Sequence, residues 1–168
     1  PKEGIRALIT KRPIFQILRN VTHSGGQYCV FFGVISLPLA MVTSIEYTIP
    51  AITAVIAAMT IGEKVNRYRW IGMAISFVGV LIILRPGLVP FGLPTTMVIL
   101  GAILFSAQNV MVKVLSQNES ASTMVFTMNI IQSLIFLGPA LYLWITPAWH
   151  HLPWLLLLGL SGITTHFL

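Results

Sequence analysis

One acidic side chain, Glu46, falls inside a long apolar run extending from Met41 to Ile61. Around it Thr43, Glu46, Pro50, Thr53, Ala57 and Thr60 recur at steps of three or four, which on a helix draws one narrow polar or small stripe down an otherwise apolar cylinder. A carboxylate in a low-dielectric setting either finds a cation or takes up a proton. Glu46 is therefore a candidate counter-ion or proton-coupling group, against the plainer reading of a wet residue about one turn from an interface, where depth controls the cost. Pro50 has no N–H, so the carbonyl of Glu46 loses its helical partner and the backbone can kink there.

Two further polar faces accompany this one. In the run from Phe15 to Ser36, Asn20, His23, Ser24 and Gln27 fall within an arc of about 100° on a helix. The neighbouring Gly25–Gly26 pair suits close helix packing, so this face either lines a cavity or bonds to a neighbouring helix. In the run from Thr95 to Val114, Ala102, Ser106, Asn109 and Lys113 share a stripe while Gln108 points elsewhere, and Lys113 marks the helix end. Thr127, Asn129, Gln132 and Ser133 are scattered and read as interhelical bonds. The expected substrate-binding set is His23, Gln27, Glu46, Pro50 and Asn109, with no catalytic residue. No metal or cofactor site is expected. Adjacent His150 and His151 point in different directions on most backbones, Cys29 is the single cysteine, and no phosphate-binding glycine loop is present.

These polar residues need a scaffold, and composition says what surrounds it. Of 168 residues 56% are hydrophobic and 8% charged, and the mean hydropathy is +0.88. A soluble domain carries about 25% charged residues, and this chain has no polar helices with which to cover a set of buried ones. The medium must be lipid. Crossing about 30 Å of hydrocarbon takes about 20 apolar residues, which predicts six spans: Phe15 to Ser36, Met41 to Ile61, Trp70 to Leu84 (short, extended by snorkelling of Tyr68 and Arg69), Thr95 to Val114, Thr123 to Trp144, and Leu152 onward. The fold class expected is all-α, a polytopic transmembrane helix bundle.

The formal charge of +6 comes from 10 Lys and Arg against 4 Asp and Glu. It is distributed as helix-flanking charge in a membrane protein, so nucleic acid is not an expected partner; a lipid bilayer and a small-molecule substrate are, with homo-oligomerisation left open. Alternating the spans puts Lys2, Arg6, Lys11, Arg12, Arg19, Lys64, Arg67, Arg69 and Lys113 on one side and Arg85 alone on the other. The positive-inside rule makes the rich side cytoplasmic, including residues 1–14. Trp70, Trp144, Trp149 and Trp154 lie near span ends, as interfacial anchors do. With Pro1 opening the sequence and an unfinished apolar run at Thr165-His166-Phe167-Leu168, the reading is of a piece of a longer membrane protein.

From Ser36 to Gly87 the chain resembles the EamA-like domain of the drug/metabolite transporter superfamily. The residues that carry the resemblance are Leu37-Pro38-Leu39-Ala40, Ile49-Pro50-Ala51, Ile61-Gly62-Glu63-Lys64, Trp70-Ile71-Gly72, Phe77-Val78-Gly79-Val80 and Arg85-Pro86-Gly87, in that order and spacing. Leu155 to Leu168 resembles the third helix of a second such domain more weakly. The resemblance implies ten helices in two five-helix repeats of inverted topology around a central cavity. The six spans would be helices three to eight, with residues 15–87 ending the first repeat and 95–168 starting the second. It also implies a carrier of small metabolites in the bacterial inner membrane, and for Glu63 a role in a turn or gate, paired with Lys64, Arg67 or Arg69.

The function expected is secondary transport of a small polar solute (an amino acid, a nucleoside or a related metabolite) by alternating access about a midplane site, and no enzyme. One alternative is a flippase for a lipid-linked substrate. Another is an intramembrane protease, because Gly159-Leu160-Ser161-Gly162 matches a G-x-S-G pattern. Against the protease stands His166, five residues from Ser161, which would point away from it on the same helix.

Overall fold

In a computed structural model the chain is described over residues 10–84 and 92–167. Lys2, Arg6, Arg85, Pro86, Gly87 and Leu168 lie outside the described residues. Among the described residues seven α-helices follow one another: α1 (Pro13–Ser36), α2 (Leu39–Glu46), α3 (Ile49–Ile61), α4 (Arg67–Leu84), α5 (Leu93–Leu115), α6 (Ala121–Tyr142) and α7 (Leu152–Phe167), with a short 3-10 turn at Trp149–His151 before the last. The chain is thus all-α. By length and apolarity the stretches Leu39–Ile61, Leu93–Leu115 and Ala121–Tyr142 are able to cross a membrane. Helix α1 is longer than these at 24 residues, but it carries the polar face of Asn20, His23, Ser24 and Gln27.

The second expected span is two helices. Tyr47 and Thr48 interrupt it, and Pro50 sits in the first turn of α3, where its missing N–H costs nothing because first-turn donors have no helical acceptor. Tyr47 and Thr48 keep right-handed helical backbone angles, so the disturbance expected at Pro50 is a two-residue interruption of one long apolar stretch, and Glu46 becomes the last residue of α2. The third expected span, α4, begins at Arg67 rather than Trp70, its first turn steadied by the Asn66 Oδ1, which accepts the N–H of Tyr68 at 3.3 Å.

The centre of the bundle is the crossing of α1 and α5, supported by α2 and α3. Val30, Val42, Ile45, Val98 and Ala102 form the buried core, with Leu37, Ile49, Ile52, Ile99 and Phe105 packed around it. Two α1 glycines let the backbones meet. A Cβ placed on Gly33 would lie 2.1 Å from Cγ2 of Val98, and one placed on Gly101 would lie 3.1 Å from the carbonyl of Gly26. Between lipid-embedded helices, where apolar burial against lipid gains little, such backbone proximity is a main source of cohesion.

The polar face of α1 turns into this contact. Gln16 and Asn20 are fully buried and Ser24 nearly so, and the Asn20 side-chain amide donates to the carbonyl of Gln16 at 2.8 Å. Helix α6 packs on α1 through Tyr28 and Phe136, whose ring centroids are 5.2 Å apart. Two of the polar residues of α6 do not make the interhelical bonds expected from sequence. Asn129 donates to the carbonyl of Val125 in its own helix at 3.0 Å, and Gln132 keeps its amide nitrogen buried with no hydrogen-bond partner among the described residues.

One carboxylate ties the start of α1 to the turn between α5 and α6. Glu119 Oε1 accepts from the Thr10 hydroxyl, from the N–H of Lys11 at 3.0 Å and from that of Arg12 at 3.2 Å, while its Oε2 accepts from the Gln16 amide at 2.6 Å. Helix α1 has no side-chain cap at Arg12; Glu119 instead holds the segment that leads into it, at the N–H groups of Lys11 and Arg12. Desolvation pushes the Glu119 carboxyl up, but the hydrogen bonds from Thr10, Gln16, Arg12 and Lys11 outweigh it and hold the group below its ordinary value.

Gly101→Val in the complete protein in detergent should cost about 1–3 kcal/mol by overpacking and lower the midpoint of thermal unfolding. Gly72→Ala, at a position where a Cβ meets nothing, should change stability by less than about 1 kcal/mol. Because the folded-state pKa of Glu119 lies below that of the unfolded chain, its stabilisation is present above about pH 4.3 and fades as the pH falls through the lower folded value. The stability gap between wild type and Glu119→Gln, measured by thermal unfolding, should therefore be full at pH 6 and shrink as the pH falls below about 4.3.

Candidate functional site

A cavity of about 390 Å³ opens among α3, α4 and α5. Helix α3 presents Pro50, Thr53, Ala54 and Ala57 to it, positions at offsets of zero, three, four and seven and therefore on one face. This is the lower part of the stripe read from sequence. Helix α5 contributes Asn109, Val110 and Lys113, and α4 contributes Arg69 and Met73. Asn109 and Lys113 are one turn apart, so both side chains reach the same space.

The stripe on α5 divides at this point. Ala102 and Ser106 are fully buried, and the Ser106 hydroxyl lies 2.7 Å from the carbonyl of Ala102 and 3.1 Å from that of Ile49. That contact seats the first residue of α3 against α5 beside the cavity. Thr53 has its hydroxyl oxygen buried with no hydrogen-bond partner among the described residues. The walls are mostly apolar with a few polar groups converging, which is the general make-up of a small-molecule site.

At one end of the cavity stands Glu63. Gly62, at φ 65°, is in the left-handed conformation that favours glycine, and it turns the chain so that the N–H of Glu63 returns to the carbonyl of Ala57 at 3.4 Å. The carboxylate then bridges two cations from two helices, Lys113 Nζ at 2.5 Å and Arg69 Nη1 at 3.2 Å. The hydrogen bond from Lys113 is the leading cause that holds the Glu63 carboxyl below its ordinary value, with Arg69 adding to it. Arg69 was among the partners expected from sequence; Lys113 was not. Arg67 instead lies with its guanidinium carbon 5.1 Å from the ring centre of Tyr68.

Of the five expected substrate residues, the structure brings Pro50 and Asn109 together on the cavity wall. His23 sits on α1 with its ring 5.1 Å from that of Phe105, edge to face. Gln27 has its side-chain oxygen buried with no hydrogen-bond partner among the described residues, and Glu46 is half-buried at the end of α2. None of these three lies on the cavity wall. Sequence reading passed over Thr53, Arg69, Met73 and Lys113 as lining residues. The four-residue step from Asn109 to Lys113 was the available signal for one of them.

The other motifs stay outside the cavity. His150 and His151 are exposed, with ring centroids 4.0 Å apart. The Ser161 hydroxyl donates to the carbonyl of Leu158 in its own helix at 2.9 Å.

Residues 3–85 match the EamA-like transporter family. The S-adenosylmethionine uptake transporter of Rickettsia prowazekii is 30% identical over 159 residues, covering 95% of this chain and 54% of that protein. Its counterpart in Rickettsia bellii is 30% identical over 165 residues, covering 98% of this chain and 57% of the relative. The riboflavin transporter of Vibrio cholerae is 29% identical over 133 residues, covering 77% and 43%. The chain thus spans about half the length of the curated relatives it matches. No solved structure matches it.

The geometry predicts water access that is confined to the cavity. In a Cys29→Ala background of the complete protein, Asn109→Cys should react with a small membrane-impermeant thiol reagent. Ser106→Cys, fully buried one turn away, should react at least tenfold more slowly, as followed by mass spectrometry.

Proposed function

Because the chain belongs to the EamA-like transporter family, we propose that it is part of a secondary carrier that moves a small polar metabolite across a bacterial inner membrane. The observation that carries this reading is the cavity among α3, α4 and α5, with apolar walls, Asn109 and Thr53 within them and a charged cluster at one end. A passage for polar solutes needs polar groups facing inward while the outer surface stays apolar. The outer faces of α4, α6 and α7 are accordingly rich in exposed Leu, Ile, Val and aromatic side chains.

The break between α2 and α3 supports an alternating-access mechanism. Discontinuous helices are the usual sites where secondary transporters build a binding site and let one repeat move against the other. Residues 15–87 would close the first repeat and residues 95–168 open the second, with residues 1–14 in the cytoplasm. Two contacts support this topology. Glu119 joins residues 10–12 and Glu63 joins Lys113, and the charge count assigns all of these segments to the same side.

Pro50 and Asn109 are assigned to substrate contact, and Glu46, beside the helix break, to proton coupling. His23 and Gln27 are assigned to the path that completes the site with helices beyond this chain. S-adenosylmethionine is the first candidate solute, from relatives that align with nearly the whole chain, and riboflavin is the second.

Uptake of the two radiolabelled solutes into vesicles holding the complete protein tests this reading. One of the two should accumulate against an inward proton gradient, and Asn109→Ala should reduce its uptake by roughly tenfold. Uptake of neither solute would exclude both substrates. Uptake that is the same for Glu46→Gln and wild type from pH 5 to 8 would exclude proton coupling at Glu46.

A further inference from the structure

The charged cluster at the end of the cavity is unbalanced. Glu63 supplies one negative charge to two positive ones, Lys113 and Arg69, and among the residues lining the cavity it is the sole acid. The ion pairs are also open to solvent. The Lys113 side chain is 47% exposed and that of Arg69 is 67% exposed, against 22% for Glu63. Pairs as exposed as these contribute little to stability, so a competing anion can displace Glu63 at little cost. Arg69 adds a local bias. It lies in the first turn of α4, which contains no acidic residue, at the helix end whose dipole favours anions.

We propose that Lys113 and Arg69 are the recognition site for a carboxylate or phosphate on the solute, and that Glu63 is the counter-ion the solute displaces on entering. The assignment rests on the carrier reading above and gives it a substrate class. In the empty cavity Glu63 holds Lys113 and Arg69 together and so ties α5 to α4 and to the end of α3. When the anionic group of the solute takes Lys113, that tie is released. The amide of Asn109, one turn from Lys113, then serves the polar part of the solute, while Ile49, Met73 and Val110 face its apolar body. Nothing covalent changes; the two cations exchange one oxyanion for another.

Opposite effects from the two members of one ion pair distinguish recognition from mere bracing. Vesicles of phosphatidylcholine holding the complete protein are offered a mixture of S-adenosylmethionine, amino acids, the matching amino acid amides, nucleosides and nucleoside monophosphates, and the contents are read by mass spectrometry. The solutes that accumulate should carry a carboxylate or phosphate. Lys113→Met should raise their KM by at least tenfold, whereas Glu63→Gln should leave KM unchanged or lower it. Equal impairment by Lys113→Met and Glu63→Gln would overturn the proposal and leave the cluster a brace, as would accumulation of amides or nucleosides as strong as that of the acids.

Adding phosphatidylglycerol to the vesicles separates a dissolved anion from a lipid headgroup. A rise in KM that Lys113→Met abolishes would place a lipid phosphate at the site and overturn the solute assignment. Accumulation of no member of the mixture overturns the anion assignment, while the carrier reading is judged separately by uptake of its two named solutes.

Discussion

The structure depends on how closely α1 and α5 approach. Hydrocarbon gives apolar helices no reason to prefer one another over lipid, so cohesion between them comes from contacts that lipid cannot match. Gly26 and Gly101 let two backbones touch, and the flat face of Gly33 receives Val98 with no room for a side chain. Once this crossing forms, the buried polar atoms of Gln16, Asn20 and Ser24 are carried into the interior, away from acyl chains where they would be most costly. The crossing also sets the height of Ser106, which seats the start of α3 through Ile49.

From that seat the cavity follows. Pro50 cannot join an uninterrupted helix from Leu39 to Ile61 without leaving a carbonyl unserved, and the chain resolves the conflict by breaking at Tyr47 and Thr48 and placing Pro50 in a first turn. The second piece then runs along α5 with its small residues, Ala54 and Ala57, facing the space that Asn109 and Lys113 enter. Small side chains on one wall and long polar ones on the other leave a gap that a solute can occupy. Gly62 closes the arrangement by turning Glu63 back over the end of α5.

The two turn carboxylates do related work with different partners. Glu119 meets backbone N–H groups, a hydroxyl and an amide, all at or just before the start of α1, and it behaves as a structural anchor. Glu63 meets two long, exposed cations, whose positions cost little to change. That contrast separates an anchor from a counter-ion that can be exchanged.

Composition and period alone established the lipid medium, the all-α class, the stripe containing Pro50, Thr53 and Ala57, the polar face of α1 and the segments that carry positive charge. These follow from local rules, because hydropathy reports the solvent and helical spacing reports which residues share a face. The family was legible too, through short motifs kept in order between Ser36 and Gly87. Tertiary structure decided which faces meet. A period cannot say that Lys113 of α5 finds Glu63 fifty residues earlier, that Glu119 reaches back to Thr10, or that the stripe of α3 and not that of α2 borders the cavity. Such pairings depend on closing long loops around one close crossing, and the two glycine contacts that permit it become recognisable only when both helices are in place.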